Sequence, residues 1–173
     1  DQYAAVYGGY NLFEFGEEVK VRHLNAKKIL PSLILMHTNI IRKPPTIQED
    51  FKNLTKPKKD ALDRMKLLIP HTLKATSDGD HKGLGSILDE AYKLKKKSNK
   101  NVTNEQLANI YLYAKKHGAH GGKICGTGGG GFMLFVVDPE RKKDFIYKME
   151  LYGLTNWNFN IDERGLEVTT LTQ

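Results

Sequence analysis

The amino-acid sequence predicts an α+β fold in which an antiparallel sheet is covered by a layer of helices. Three observations support this fold class. Apolar and polar residues alternate near both ends of the chain, apolar residues recur at helical spacing in the middle, and a fully apolar run follows a cluster of glycines. The predicted order is therefore strands, helices, strand, helix and strands.

The first strands are predicted from alternation with a period of two. Residues 10–15 (YNLFEF) and 17–22 (EEVKVR) alternate apolar and polar positions on either side of Gly16, which favours two half-buried strands joined by a short turn. Residues 33–37 (LILMH) predict a third, more buried strand. A Pro-Pro pair at 44–45 then ends this strand-rich region.

Three stripes of apolar residues predict the helical centre. The first runs through residues 62–73, although Pro70 is expected to kink or split that helix. The second stripe covers residues 84–94 and the third covers residues 107–114. Gly118 is well placed to end the third helix, because glycine adopts the left-handed backbone conformation that often follows a helix.

The C-terminal region combines one strong strand signal with weaker ones. Residues 132–137 are apolar at every position, which predicts a central strand buried on both faces. Asp138 and Pro139 are expected to open a helix that continues to about residue 149. The runs near 155–161 and 166–171 predict two further strands.

The composition is that of a globular protein with a basic surface. The 173 residues are enough for one domain, or for one domain and part of another. A net charge of +7 suggests an anionic partner, although most lysines are spread along the chain as expected for solvated helix faces. The single cysteine, Cys125, excludes an internal disulfide and favours a reducing cytoplasm, and no segment is apolar enough to span a membrane.

The most informative segment is residues 121–137, GGKICGTGGGGFMLFVV. Residues 126–131 fit the pattern G-x-G-x-x-G, but a dinucleotide site needs a strand before the glycines and a helix after them. The predicted order here is a helix before and a strand after. A Walker A loop is excluded because Phe132, and not Lys, follows the last glycine. A tight turn stays open, yet four successive glycines favour a backbone that a phosphate can approach closely.

This segment resembles the third motif of the GHMP kinases, K-x-x-G-A-G-G-G-G-x followed by an apolar strand. Lys123, Gly126 and residues 128–131 coincide with that motif, and Thr127 stands where the family usually has alanine. The opening residues DQYAAVYGGYN and the segment LDEAYKLKKK at 88–97 resemble the branch that acts on D-glycero-D-manno-heptose 7-phosphate.

The resemblance implies two domains and a kinase activity. Residues 1–31 would be the tail end of a GHMP kinase N-terminal domain, and residues 32–173 its ferredoxin-like C-terminal domain. The implied reaction is ATP-dependent phosphorylation of the anomeric hydroxyl of a heptose phosphate. Because the main ATP loop of the family and its Mg²⁺ ligands belong to the N-terminal half, the chain is expected to be a fragment that is inactive alone.

The resemblance also implies site residues. Asp1 would be the catalytic base. Arg42 and Lys96 would bind the sugar phosphate, and no metal ligand is expected in this chain. The nucleotide-binding residues would be those of the glycine cluster: Gly126, Thr127, Gly128, Gly129, Gly130 and Gly131.

Two alternative functions stay open. The first is a GHMP kinase for another sugar, of the fucose or galactose type. The second is a non-catalytic basic module that binds RNA or another polyanion, which predicts salt-dependent binding without ATP. That module should expose aromatic and basic residues on one sheet face, which the apolar strand 132–137 does not offer. We expect ATP and a sugar phosphate as partners, with the N-terminal half as a candidate protein partner, and neither nucleic acid nor membrane.

Overall fold

The computed structural model describes residues 2–41, 55–98, 103–126 and 128–169, which form helices and antiparallel sheets as predicted. The chain forms two compact units, residues 28–158 and residues 1–27 together with 159–173. The sequence did not indicate that the last residues group with the first ones. Assignment of residues 1–31 to the end of a kinase N-terminal domain stays a prediction.

The smaller unit contains a short helix and a hairpin. Helix α1 is Gln2–Tyr7, and strands β1 (Tyr10–Phe15) and β2 (Val19–Leu24) pair antiparallel, with Tyr10 opposite Leu24. The second strand begins two residues later than predicted because residues 16–18 form the connection. The ring of Phe13 contacts the rings of Tyr3 and Tyr7, with 5.9 Å between centroids in each case.

A strand was predicted at residues 166–171. Residues 166–169, the part of this range that the structure describes, do not form a strand. A single backbone hydrogen bond, from the Leu166 N–H to the Val6 carbonyl at 3.0 Å, holds this segment. Leu166 and Val168 are 64% and 84% exposed. The apolar residues of this alternating segment are therefore not buried against another element, which is why the segment does not form a strand.

The larger unit contains a four-stranded antiparallel sheet. Its strands are β3 (Leu33–His37), β4 (Ala119–Ile124), β5 (Phe132–Val137) and β6 (Thr155–Trp157). Their order in the sheet is β4-β5-β3-β6, so β5 is a central strand as predicted. The last strand is shorter than the run at 155–161 suggested, because only three of its residues pair with β3.

Four helices in the described residues accompany this sheet. They are α2 (Lys56–Asp78), α3 (His81–Ser98), α4 (Glu105–Lys116) and α5 (Lys142–Leu151), the last preceded by a 3₁₀ turn at Pro139–Arg141. Helix α2 continues through Pro70, so the predicted split is wrong. Pro70 is exposed, where water can bond to the carbonyl that loses its helical donor. Gly118 follows α4 with φ +110°, in agreement with its predicted role.

The core of the larger unit lies between the sheet and its helices. Ile34 on β3 is opposite Phe135 on β5, and both are almost fully buried. Phe135 packs edge-to-face against Phe145 of α5 at 5.6 Å. The complete cluster comprises Ile34, Met36, Tyr92, Leu107, Ile110, Tyr111, Ala114, Ala119, Ile124, Met133, Phe135, Val137, Phe145, Met149 and Leu154. Within the described segments, no helix is long and apolar enough to cross a lipid bilayer.

Candidate functional site

The glycine cluster connects two neighbouring strands of the larger unit. Strand β4 lies between α4 and the glycines, although the sequence predicted a helix directly before them. Gly121 and Gly122 lower the strand propensity of β4, which explains why it was missed. The prediction of a helix directly before the glycines is therefore wrong. A dinucleotide site stays excluded, because the element after the glycines is strand β5 and not a helix.

Glycines also set the distance between helix α3 and strand β4. A Cβ atom on Gly121 would lie 1.9 Å from the carbonyl oxygen of Gly85, and one on Gly85 would lie 2.3 Å from Cβ of His120. Neither position can therefore carry a larger side chain without moving the helix. Gly83 lies at the start of α3, where its N–H donates to the Asp80 carboxylate at 2.8 Å. Residues 83–86, GLGS, are thus explained by capping and packing.

The loop between β4 and β5, residues 125–131, depends on left-handed backbone conformations. The φ angles are +62°, +99°, +82° and +79° at Gly126, Gly128, Gly129 and Gly131. L-amino acids with side chains adopt such angles only at a cost. Apart from the chain neighbours of each glycine, no atom of the described residues lies within 4 Å of a Cβ placed on Gly126 or Gly131, so these atoms leave space beside both positions.

The far end of the loop is fastened to the segment that follows β3. The carbonyl of Gly131 accepts hydrogen bonds from the N–H and the hydroxyl of Thr38, both at 2.8 Å. The N–H of Gly131 donates to the Ile40 carbonyl at 3.2 Å, and the Cys125 N–H donates to the Phe132 carbonyl at 2.8 Å. These hydrogen bonds therefore hold the two ends of the loop.

Lys95 reaches the near end of the loop from helix α3. Its Nζ donates to the Gly126 carbonyl at 2.7 Å. Burial and, secondarily, the charge of Lys123 lower the pKa of Lys95. Among the described residues, neither lysine forms an ion pair with a carboxylate. Lys95 therefore lies at the loop within the electrostatic influence of Lys123, and no described carboxylate pairs with either lysine.

Cys125 lies beside these two lysines at the start of the loop. Burial raises the pKa of its thiol, and the nearby charges of Lys123 and Lys95 only partly oppose this effect. The thiol is consequently not activated as a nucleophile, in keeping with its interpretation as a small apolar residue.

The predicted site residues fall into three groups. Gly126 and residues 128–131 lie together in the loop, as expected. Asp1, Arg42 and Thr127 lie outside the described residues. Lys96 is exposed, with its Nζ 5.6 Å from the centre of the Tyr92 ring, and its assignment to the sugar phosphate stays a prediction.

The sequence carried a signal for Lys95 as the residue that contacts the loop. Apolar residues recur along α3 at Leu84, Leu88 and Ala91, and position 95 continues this spacing, although the buried residues of the helix are Leu84, Gly85, Tyr92 and Leu94. A lysine that continues an apolar stripe lies on the helix face that packs against the protein. The lysines next to it in the sequence lie further from that face. Lys96 lies one position away from this stripe.

An aromatic row lies on the sheet directly after the loop. The Phe132 ring is 4.8 Å from that of His37 and 5.4 Å from that of Trp157, which is 53% exposed. The strand register places Lys123 on the same face. The expectation that this region offers no face with aromatic and basic residues is therefore wrong, because the paired strands supply them.

A separate cleft of about 260 Å³ borders the segment after β3. Its lining contains amides and hydroxyls but no charged side chain, so it offers no cation to a phosphate. The residues that line it are Thr38, Ile40, Gln106, Asn109, Ile110, Tyr152, Gly153 and Leu154.

The donor set beside the loop suits a phosphate better than a metal ion. Backbone N–H groups and lysines are ligands for anions. Within residues 2–41, 55–98, 103–126 and 128–169, no group of three His, Cys, Asp or Glu side chains could hold a metal ion. The described residues therefore fit the phosphate end of a nucleotide or of a phosphorylated substrate, and no magnesium ligand is assigned to them.

Residues 72–152 match the family of GHMP kinases, C-terminal domain. This part of the chain is similar to the C-terminal domain of the GHMP kinases. It contains strands β4 and β5, helices α3, α4 and α5, and the glycine loop between the two strands.

Individual GHMP kinases resemble the chain over most of its length. The D-glycero-α-D-manno-heptose 7-phosphate kinase of Campylobacter jejuni is 36% identical in an alignment of 156 positions that covers 84% of this chain and 46% of that protein. The crystal structure of a D-glycero-D-manno-heptose 1-phosphate kinase from Bacteroides thetaiotaomicron has a TM-score of 0.67 and 25% identity, covering 98% of this chain and 49% of that one.

The crystal structure of a mevalonate kinase is similar to this chain in fold alone. Its TM-score is 0.69 at 22% identity, and the match covers 90% of this chain and 48% of that one. The chain spans about half the length of the relatives it matches. The fold prediction of a GHMP kinase C-terminal domain is thus confirmed.

Proposed function

We propose that the chain is the C-terminal portion of an ATP-dependent kinase that phosphorylates the anomeric hydroxyl of a heptose phosphate. The similarity to a heptose 7-phosphate kinase over 84% of the chain supports the substrate class. The single observation that carries the chemistry is the glycine loop, whose backbone is fixed at both ends and flanked by Lys95 and Lys123.

The loop would stabilise negative charge on a phosphate while the phosphoryl group is transferred. Phosphoryl transfer depends mainly on positioning and on electrostatic stabilisation of phosphate oxygens, and ATP would supply the phosphoryl group when bound. A prearranged backbone with adjacent ammonium groups provides both contributions without large rearrangement. Gly126 and Gly131 leave open space in which a ligand can approach the backbone.

The remaining parts of the mechanism are proposals about residues that the structure does not describe. Asp1 would accept or orient the proton of the attacking hydroxyl, and Arg42 would contact the sugar phosphate. Magnesium ligands and the main ATP loop would come from an N-terminal half that acts as the protein partner. We place the reaction in the cytoplasm, a proposal that the single cysteine supports.

The aromatic row favours the polyanion-binding module as a second candidate function. His37, Phe132 and Trp157 lie beside a lysine on one face, which is an arrangement that single-stranded nucleic acid can use. Binding of this kind would weaken steeply with salt and would not need ATP. It would also depend on Trp157, which the kinase proposal does not use.

The decisive experiment measures ADP release from ATP with D-glycero-D-manno-heptose 7-phosphate, fucose or galactose as acceptor. The chain is assayed alone and after addition of the N-terminal half of the C. jejuni relative. We expect turnover with the heptose phosphate only in the completed protein, and a strong loss in Asp1→Asn.

Other outcomes separate the alternatives. Turnover with fucose or galactose instead would support a kinase for another sugar. The absence of turnover with all three acceptors, together with salt-sensitive RNA binding that Trp157→Ala removes, would contradict the kinase proposal.

A further inference from the structure

We propose that Lys95 and Lys123 act as a pair that binds one phosphate group at the mouth of the glycine loop. The inference rests on the proposed function for the identity of the ligand, a phosphomonoester or the phosphate chain of a nucleotide. It assigns a binding role to two residues on different elements, one at the end of α3 and one on β4.

The position of Lys95 supports this assignment. Its Nζ is 2.7 Å from the Gly126 carbonyl, but a carbonyl satisfies only one of the three donors of an ammonium group. Burial and the neighbouring lysine lower the pKa of Lys95, and a bound anion would relieve both effects.

The position of Lys123 complements that of Lys95. Lys123 lies opposite Leu134 in the β4–β5 pairing, two residues before Cys125 and the loop. Its side chain is exposed, and it forms no ion pair with any described carboxylate. Two like charges placed together at a loop with left-handed glycines repel each other, and a phosphate between them would turn that repulsion into attraction.

The packing of α3 on β4 explains how the pair is held together. The close approach of Gly85 and Gly121 fixes the helix along the strand. Consequently the C-terminal turns of α3 and the last residues of β4 both lie next to the loop. Other lysines of α3 differ in this respect, since Lys93 pairs with Asp89 at 2.6 Å.

The test is a titration of the ¹⁵N-labelled chain with inorganic phosphate, followed through the amide signals of residues 126–131. We expect saturable shifts confined to the loop and its neighbours. Lys95→Met and Lys123→Met should each weaken phosphate binding by about tenfold, the usual scale for a charge-assisted hydrogen bond, whereas Lys97→Met should change it less than about twofold. Lys97 is the matched control, because it is an exposed lysine of the same helix.

A second variant separates binding from positioning. Lys95→Met also removes the hydrogen bond to Gly126, so its effect alone could reflect a displaced loop. Lys123 makes no hydrogen bond to the described residues of the loop, and Lys123→Met therefore isolates the charge. Loss of binding in Lys95→Met with retained binding in Lys123→Met would overturn the pair, as would an equal loss in Lys97→Met or the absence of loop shifts in the parent chain.

The source of the phosphate is decided by repeating the titration with ATP and with D-glycero-D-manno-heptose 7-phosphate. The ligand whose binding the two lysine variants weaken most is the one that this pair receives. Phosphate binding without kinase turnover in the completed protein would leave this inference standing and remove the proposed function. Turnover without dependence on Lys95 and Lys123 would do the opposite.

Discussion

The two compact units of the chain use their apolar residues in different ways. In residues 28–158, sheet and helices enclose a cluster of 15 buried residues, with Phe135 and Phe145 at 0% exposure. In residues 1–27 with 159–173, the one described hydrophobic residue that is buried is Ala26. The aromatic residues of its hairpin cluster with each other and stay partly exposed. An aromatic pattern in a sequence therefore does not establish that a core exists.

The physical reason for this difference is the number of layers. The strands of the larger unit have helices packed on them, so their apolar side chains leave water on folding. The hairpin of the smaller unit contacts the six-residue helix α1 through rings that stay partly exposed, and a two-stranded hairpin is marginally stable in isolation. We expect the larger unit to carry most of the free energy of unfolding, and the smaller unit to gain stability from additional protein such as the proposed N-terminal half.

The largest effect is expected from truncating an aromatic core residue of the larger unit. Phe135→Ala removes a fully buried ring that contacts Tyr111 and Phe145, and should lower the free energy of unfolding by about 3–5 kcal/mol. Urea unfolding followed by circular dichroism measures this change. The matched substitution in the smaller unit, Phe13→Ala, should cost about 1 kcal/mol or less, since it removes partly exposed ring contacts. Equal losses in the two variants would show that the units do not differ as described.

A smaller effect is expected from adding one methyl group where α3 meets β4. Gly121→Ala would place Cβ 1.9 Å from a backbone carbonyl of Gly85, which cannot move without shifting the helix. We expect a loss of about 2–3 kcal/mol, measured by thermal unfolding.

The smaller unit offers the control for this substitution. At Gly16 the nearest atom to an added Cβ is 3.7 Å away, so Gly16→Ala should be tolerated within about 0.5 kcal/mol. An unchanged melting temperature in Gly121→Ala would mean that the close packing of α3 on β4 is not required for stability.

The elements that were predicted correctly from the sequence are those whose apolar residues are buried in the fold. Strands 33–37 and 132–137 were predicted with their observed bounds. Alternate residues are buried in the first strand, and most residues are buried in the second. Strand β4 was missed, since Gly121 and Gly122 are present for close packing and carry no apolar signal of their own. The apolar stripe of α2 indicated a buried face, yet Leu62 and Ile69 of that stripe are each 44% exposed.

The candidate site was only partly predictable for a related reason. The glycines were recognised from their spacing and from the family resemblance, because backbone conformation restricts those positions to one residue type. The contact of Lys95 with Gly126 depends on how α3 lies along β4, which is a tertiary property. Similarly, His37, Phe132 and Trp157 come from three strands, and only the register of the sheet brings them together.

The smallest effect is expected from acid, and it should act on the larger unit. Asp89 on α3 accepts hydrogen bonds from the Tyr111 hydroxyl and from Lys93. Burial opposes ionisation of this carboxylate, but the hydrogen bonds of Lys93 and Tyr111 outweigh it and keep the pKa of Asp89 below its ordinary value. Its stabilising contribution is therefore complete above pH about 4, the ordinary carboxyl range, and is lost as the pH falls through the lowered pKa.

The direction of this pH dependence gives a prediction that distinguishes the two units. Urea unfolding between pH 7 and pH 2 should show a fall in stability below pH about 4, and Asp89→Asn should reduce that fall by about 1 kcal/mol while lowering stability at neutral pH. Glu14→Gln, an exposed carboxyl variant on the hairpin of the smaller unit, should leave the pH profile unchanged. If Glu14→Gln flattened the acid limb and Asp89→Asn did not, the acid-sensitive contacts would belong to the hairpin, and the larger unit would not be the one that holds the chain folded.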